Sequence, residues 1–207
     1  MTKRNIPDLI QSLSQSLPGQ TAQFLMTPSF RHNFPDKTNP TQAGVMLLLY
    51  PNPVELNLVF IKRAEYPGVH SGQISFPGGK YESTDLNIIS TALRETEEEI
   101  GIHASWVKVL GELTSLYIPA SEFEVYPVVG FLANKPKFNI DENEVQYVIE
   151  VSVDFLLNPA IRAIKPFAND RYQGHIPYFD IEGNEVWGAT AMILNEFLEI
   201  VKMITNH

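Results

Sequence analysis

The chain has 207 residues, of which 44% are hydrophobic and 19% charged, enough to bury a core and too apolar for a disordered segment. Its formal net charge of −9 argues against sequence-independent nucleic-acid binding, which needs clustered Lys and Arg. The absence of cysteine excludes disulfides, thiolate catalysis and Cys-type zinc sites.

From the N-terminus, Ile6, Leu9, Ile10, Leu13 and Leu17 have helical spacing behind Pro7, a good helix start. The stretch Met1 to Leu17 lacks the continuous apolar run of a signal peptide, and no run approaches the ~18 residues of a membrane span. A soluble cytoplasmic protein without a membrane partner is therefore expected. Residues 18–43, rich in Pro, Gln, Thr and Asn, read as an irregular connection. Gly44 to Tyr50 and Leu56 to Ile61 read as strands of a hairpin across Pro51-Asn52-Pro53. A glycine-rich stretch follows, and then a helix from about Asp85 to Ile100, with Thr84 or Asp85 as cap and Gly101 at its end. Further strands are expected at Trp106–Leu113, Phe123–Leu132 and Val145–Val153. A hairpin is expected around Glu182-Gly183-Asn184, with Trp187 in the core, and Gly188 and Thr190 at the start of a C-terminal amphipathic helix. Strands with interspersed helices predict an α/β layered domain with a mixed sheet. Residues 1–38 form an N-terminal helix and connection packed on a main domain of residues 39–207. The terminal helices are candidates for a homodimer contact.

The segment Arg94-Glu95-Thr96-Glu97-Glu98-Glu99 carries the chemistry. At about 100° per residue, with Glu95 at zero, Glu98 lies near 300° and Glu99 near 40°. These three carboxylates share a face, Glu97 turns away to solvent, and Ile89, Leu93, Thr96 and Ile100 form the buried stripe. Like charges so close raise at least one pKa and favour a hard dication such as Mg²⁺ or Mn²⁺, which also offsets the acidic surface towards a phosphate-bearing substrate. Arg94, one turn before Glu98, is placed to orient that carboxylate. A solvated acidic helix face is the plain alternative.

Gly79 to Ile102 resembles the Nudix box: Gly, five residues, Glu, seven residues, Arg-Glu, an apolar residue, any residue, Glu-Glu, any residue, Gly, apolar. Arg94, Glu95, Glu98, Glu99, Gly101 and Ile102 fit it. Thr96 fills the apolar slot, and Asp85 stands in the first acidic position with one extra residue before the Arg. The run Lys62-Arg63-Ala64 followed by His70 to Gly79 (HSGQISFPGG) resembles the added motif of the coenzyme A pyrophosphatase branch. Phe123–Gly130 and Val186–Ala191 are also similar to that branch, although Gly68 stands where it usually has Arg. The resemblance implies a Nudix-type α/β/α sandwich with a mixed β-sheet. It implies a metal set of Glu95, Glu98, Glu99 and the Gly79 carbonyl, and water attack on a pyrophosphate. The substrate it implies is coenzyme A or an acyl-coenzyme A, cleaved to 4′-phosphopantetheine (or its acyl form) and 3′,5′-ADP.

Glu98 is then ligand or general base, and Glu144 in the acidic DENE loop is a second base candidate, as is Glu122. Lys62, Arg63 and Lys80 are candidates for phosphate contacts. His70 either contacts substrate or caps the glycine-rich loop. Phe76 is a candidate substrate contact, as is Phe123, against a plain reading of both as core. Hydrolysis of ADP-ribose or another nucleoside diphosphate derivative is the alternative activity. A non-catalytic nucleotide sensor is the alternative class, against which the intact Glu95, Glu98 and Glu99 set speaks.

Overall fold

The long strand β1 (Thr41–Pro51) organises the fold, because both of its faces are covered. In a computed structural model, which describes residues 1–2, 5–31, 39–65, 70–168 and 173–205, β1 pairs on both sides. It is antiparallel to β2 (Leu56–Arg63) and β4 (Gly78–Lys80) and parallel to β7 (Phe123–Phe131). Strands β3 (Ile74–Ser75) and β8 (Val145–Ser152) extend the sheet from β2, and β5 (Lys108–Glu112) and β6 (Leu116–Ile118) from β7. The result is the expected mixed sheet, eight strands in all.

Alternation along β1 divides the core in two. Met46, Leu48 and Tyr50 pack with Ala92 and Ile100 of helix α3 (Ile88–Ile100). Ala43, Leu47 and Leu49 face the opposite side, in one cluster with Phe197, Leu198 and Val201 of the C-terminal helix α5 (Gly188–Thr205). A helix on each face of a mixed sheet is the α/β/α sandwich. The apolar positions of α5 are largely consumed inside the chain, so this helix offers little surface to a second copy.

The predicted hairpin of β1 and β2 and the later strands β7 and β8 are present. Several boundaries move. The first helix, α1 (Ile6–Leu13), is one turn shorter than its apolar pattern. Residues 18–43 are not wholly irregular: α2 (Gly19–Gln23) and a 3₁₀ turn at Phe24–Met26 precede β1. Trp106 sits in a 3₁₀ turn and is 62% exposed, so the strand after it begins only at Lys108. The DFLL run closes the short helix α4 (Val153–Leu157). A second, three-stranded antiparallel sheet was foreseen only in part: β10 (Gln173–Ile181) and β11 (Asn184–Trp187) form the predicted hairpin, and β9 (Arg162–Ala168) adds an edge.

Helix α3 starts at Ile88, three residues later than Asp85. Its cap is Asn87, whose side-chain oxygen accepts from the Ser90 N–H at 2.9 Å. The helix lies close on β1 because Gly44 has no side chain. A Cβ there would stand 2.6 Å from the Ile88 carbonyl oxygen and 3.0 Å from the Ala92 nitrogen. Gly44→Ala is expected to push α3 off the sheet and lower stability by about 1–3 kcal/mol, read from urea unfolding.

Candidate active site

The site forms where α3 passes the turn between β3 and β4. Arg94 is its hub. Its Nε and Nη2 donate to the two oxygens of Asp85 at 2.9 and 3.0 Å, a two-pronged pair. Its Nη1 donates to Glu95 at 2.8 Å and to Glu98 at 2.9 Å, and Nη2 also reaches the Lys80 carbonyl at 3.1 Å. Asp85 is buried and further held by the Thr91 hydroxyl and the Glu82 N–H. It is thus not a helix cap but the partner that fixes Arg94. The Arg94 hydrogen bonds hold the Asp85 carboxyl well below the usual carboxylate range.

The acidic residues separate as the wheel predicts for Glu97, which is exposed and accepts from the Ala104 N–H. The other three do not behave alike. Glu99 is 1% exposed; it accepts from the Gly78 N–H at 2.8 Å and pairs with Arg63 at 3.3 Å. Burial pushes its carboxyl up to about 8, against the lowering effects of Gly78 and Arg63. Glu95 is also raised, by burial first, with Arg94 opposing. Glu98, at the edge of the shared face, has its side chain 57% exposed and is drawn to Arg94. Among the described residues, no three such side chains close on one point as a ready cation cage.

The donor set nevertheless suits a hard dication. The Glu95 carboxylate lies so close over Gly79 that a Cβ at that position would collide with it. Glu99 is on the neighbouring Gly78, so both carboxylates border the first two residues of β4, which form a strand and not a turn. Glu144 is exposed, yet its charge acts on both Glu95 and Glu99. Its loop is anchored there: the Ala64 N–H donates to the Glu144 carbonyl at 2.8 Å and the Asp141 N–H to the Glu99 carbonyl at 3.1 Å. Carboxylate oxygens that raise one another's pKa are the donors Mg²⁺ or Mn²⁺ favours.

A cavity of about 970 Å³ opens beside Gly78 and Gly79 on the α5 side of the sheet; Glu95 and Glu99 border these glycines and, like Glu98, do not line the cavity themselves. Arg63, His70, Phe76, Gly79, Lys80, Glu122 and Phe123 line it. Lys62 does not line it, although Arg63 beside it does. Phe76 is 2% exposed and stacks on Phe60 with centroids 4.9 Å apart, so it is a core residue under the cavity floor. His70 lines the cavity, and its Nδ1 lies 3.0 Å from Gln73 Oε1 within the loop. Trp187 lines the cavity rather than filling the core. Gly68 lies outside the described residues. The sequence reading missed Phe30, Arg31 and Phe167, which line the far wall, and the pairing of Arg63 with Glu99. Only the aromatic residues within a polar stretch (SFRHNF) hinted at the first.

Fold and carboxylate site together are those of a pyrophosphohydrolase-type α/β/α domain, and comparison with known proteins agrees. The Nudix domain family matches residues 40–169. The chain is 35% identical over 169 residues to the protein described as an uncharacterized Nudix hydrolase NudL of Yersinia enterocolitica serotype O:8 / biotype 1B, covering 80% of this chain and 84% of that one. It is 36% identical over 159 residues to the likewise described NudL of Pectobacterium atrosepticum, covering 75% and 80%. The fold is shared with RenU, a Nudix hydrolase from M. smegmatis, at a TM-score of 0.54 and 14% identity over 81% of this chain and 89% of that one. The chain belongs to the Nudix family and is a Nudix hydrolase.

Two stability effects follow, of opposite sign. The Asp85 pKa is depressed, so its stabilising contribution is present above the ordinary carboxylate range and is lost as pH falls. Asp85→Asn should cost about 1–3 kcal/mol at neutral pH, measured by urea unfolding. The Glu99 pKa is raised from 4.5 to about 8, so the folded state keeps a proton that the unfolded chain releases. That contribution is full below about pH 4.5 and disappears as pH rises through 8. In cation-free buffer, Glu99→Gln is expected to flatten the fall of Tm between pH 5 and pH 8 in scanning calorimetry; an unchanged slope would contradict the assignment.

Proposed function

We propose that the chain hydrolyses the pyrophosphate bond of coenzyme A or an acyl-coenzyme A, giving 4′-phosphopantetheine, or its acyl form, and 3′,5′-ADP. The observation that carries the reaction type is the convergence of the Glu95 and Glu99 carboxylates on Gly78 and Gly79 at the start of β4, beside a large cavity. The choice of coenzyme A rests on the resemblance of residues 62–79 to that branch of the family.

Glu95, Glu98, Glu99 and the Gly79 carbonyl would hold Mg²⁺ or Mn²⁺. A bound dication neutralises pyrophosphate charge and lowers the pKa of a coordinated water. The remaining steps belong to the chain's own groups. Arg94, itself locked by Asp85, sets the positions of Glu95 and Glu98. Arg63 and Lys80 line the cavity beside these glycines and offer positive charge to the phosphates. Glu98 or Glu144 accepts the proton of the attacking water; both are exposed and able to exchange it with solvent.

Incubation with Mg²⁺ and a panel of coenzyme A, ADP-ribose, NADH and dinucleoside polyphosphates, with products identified by mass, tests this. Coenzyme A cleavage into the two named products is expected. Turnover of ADP-ribose alone would remove the coenzyme A assignment, and no turnover of any member would remove the proposed reaction. Glu99→Gln should lower turnover by roughly 100-fold or more while the fold, read by circular dichroism, persists.

A further inference from the structure

The cavity has two ends of unlike chemistry. One is lined by Arg63, Gly78, Gly79 and Lys80, where the Glu95 and Glu99 carboxylates border the two glycines. The other is walled by Pro28, Phe30, Ile118, Phe167, Trp187 and Ile193, whose one polar side-chain atom is the indole nitrogen, with Arg31 beside them donating to the Tyr117 carbonyl and the Met192 sulfur. Phe30 stacks on Phe167 with centroids 5.1 Å apart and planes inclined by 26°, and Phe167 meets Trp187 at 6.3 Å and 38°.

This wall is fixed in place. Residues 28–31 are tied to β10 by two hydrogen bonds, Ser29 N–H to the His175 carbonyl at 3.0 Å and His175 N–H to the Ser29 hydroxyl at 2.9 Å. Gly174 leaves room for Ser29 and Phe30, where a Cβ would strike the Ser29 hydroxyl. The volume of about 970 Å³ is at the upper end of the range for ligand clefts. It exceeds what a pyrophosphate and its cation would fill. A nucleobase is recognised at its hydrogen-bonding edges, and the far wall has almost nothing to meet them. An alkyl chain needs only apolar area removed from water.

We propose that the far end of the cavity is a subsite for an alkyl or acyl chain carried by the substrate, with Phe30, Phe167 and Trp187 determining the chain length accepted. This deepens the pyrophosphohydrolase reading above and rests on it for the reaction. The wall comes from β6, β9, β11, α5 and the segment before β1, and much of it lies outside residues 40–169. The specificity of this chain is thereby separable from the carboxylate machinery.

The test has a binding arm and a kinetic arm. The chain has two tryptophans, and Trp106 does not line the cavity, so Trp106→Phe leaves Trp187 as the sole reporter. Decanoic acid and decanoyl-coenzyme A, added without divalent cation, should change Trp187 emission saturably. A response to adenosine and not to decanoic acid, or no response to either, would overturn the subsite. In the kinetic arm, kcat/KM with Mg²⁺ across acetyl- to decanoyl-coenzyme A should rise roughly two- to fourfold per added methylene until the chamber is full. Phe167→Ala should reduce the decanoyl-to-acetyl ratio about tenfold or more, and an unaltered ratio counts against the proposal. If no acyl-coenzyme A is hydrolysed at its pyrophosphate while the fluorescence still saturates with decanoic acid, the reaction assignment falls and the apolar subsite stands.

Discussion

Glu99 is a carboxylate kept where a carboxylate is costly. Its side chain is out of water, and its compensation is one backbone N–H from Gly78 and one long contact to Arg63. A buried charge with so few partners takes up a proton or attracts a cation. That constraint dictates much around it. The β3–β4 turn must bring an N–H to the carboxylate, and α3 must lie tight on β1, which only Gly44 permits. Energy invested in burying Glu99 is recoverable when positive charge arrives, so the region is organised for a ligand as much as for stability.

Arg94 does the complementary task. Five acceptors surround one guanidinium, two of them on Asp85. Because Asp85 is buried and held by Thr91 and Glu82, the charge of Arg94 is anchored on the protein side and presented to Glu95 and Glu98 on the other. Asp85 lies outside α3, two residues before the Asn87 cap, and from there its carboxylate meets Arg94 on the helix. A shorter acidic side chain and a later helix start therefore belong to one arrangement.

Much of the site was legible because it is local. Helical periodicity separated Glu97 from the other three glutamates, and the box placed Gly79, Arg94, Glu95 and Glu99 together before any tertiary contact was known. What escaped was set by tertiary context. The start of α3 was misplaced because Asp85 has the chemistry of a cap but is claimed by an arginine nine residues on. Strand β9 was invisible because RAIKPFA contains Pro166, tolerable only on an edge strand, and β9 is an edge. Lys62 and Arg63 look equivalent in sequence, and only the fold shows which one turns to the cavity. Trp187 read as core because an aromatic residue beside a helix start usually is.

The hydrogen bonds between Ser29 and His175 join parts of the chain 146 residues apart. They make the cavity a closure of the two ends of the polypeptide over the central sheet. A fragment cut to residues 40–169 would keep every acidic residue of the box while losing Phe30, Trp187 and α5. Such a piece would keep the carboxylate helix without much of the wall of the cavity beside it. The boundary of the family domain and the boundary of the cavity are thus different lines on the same chain.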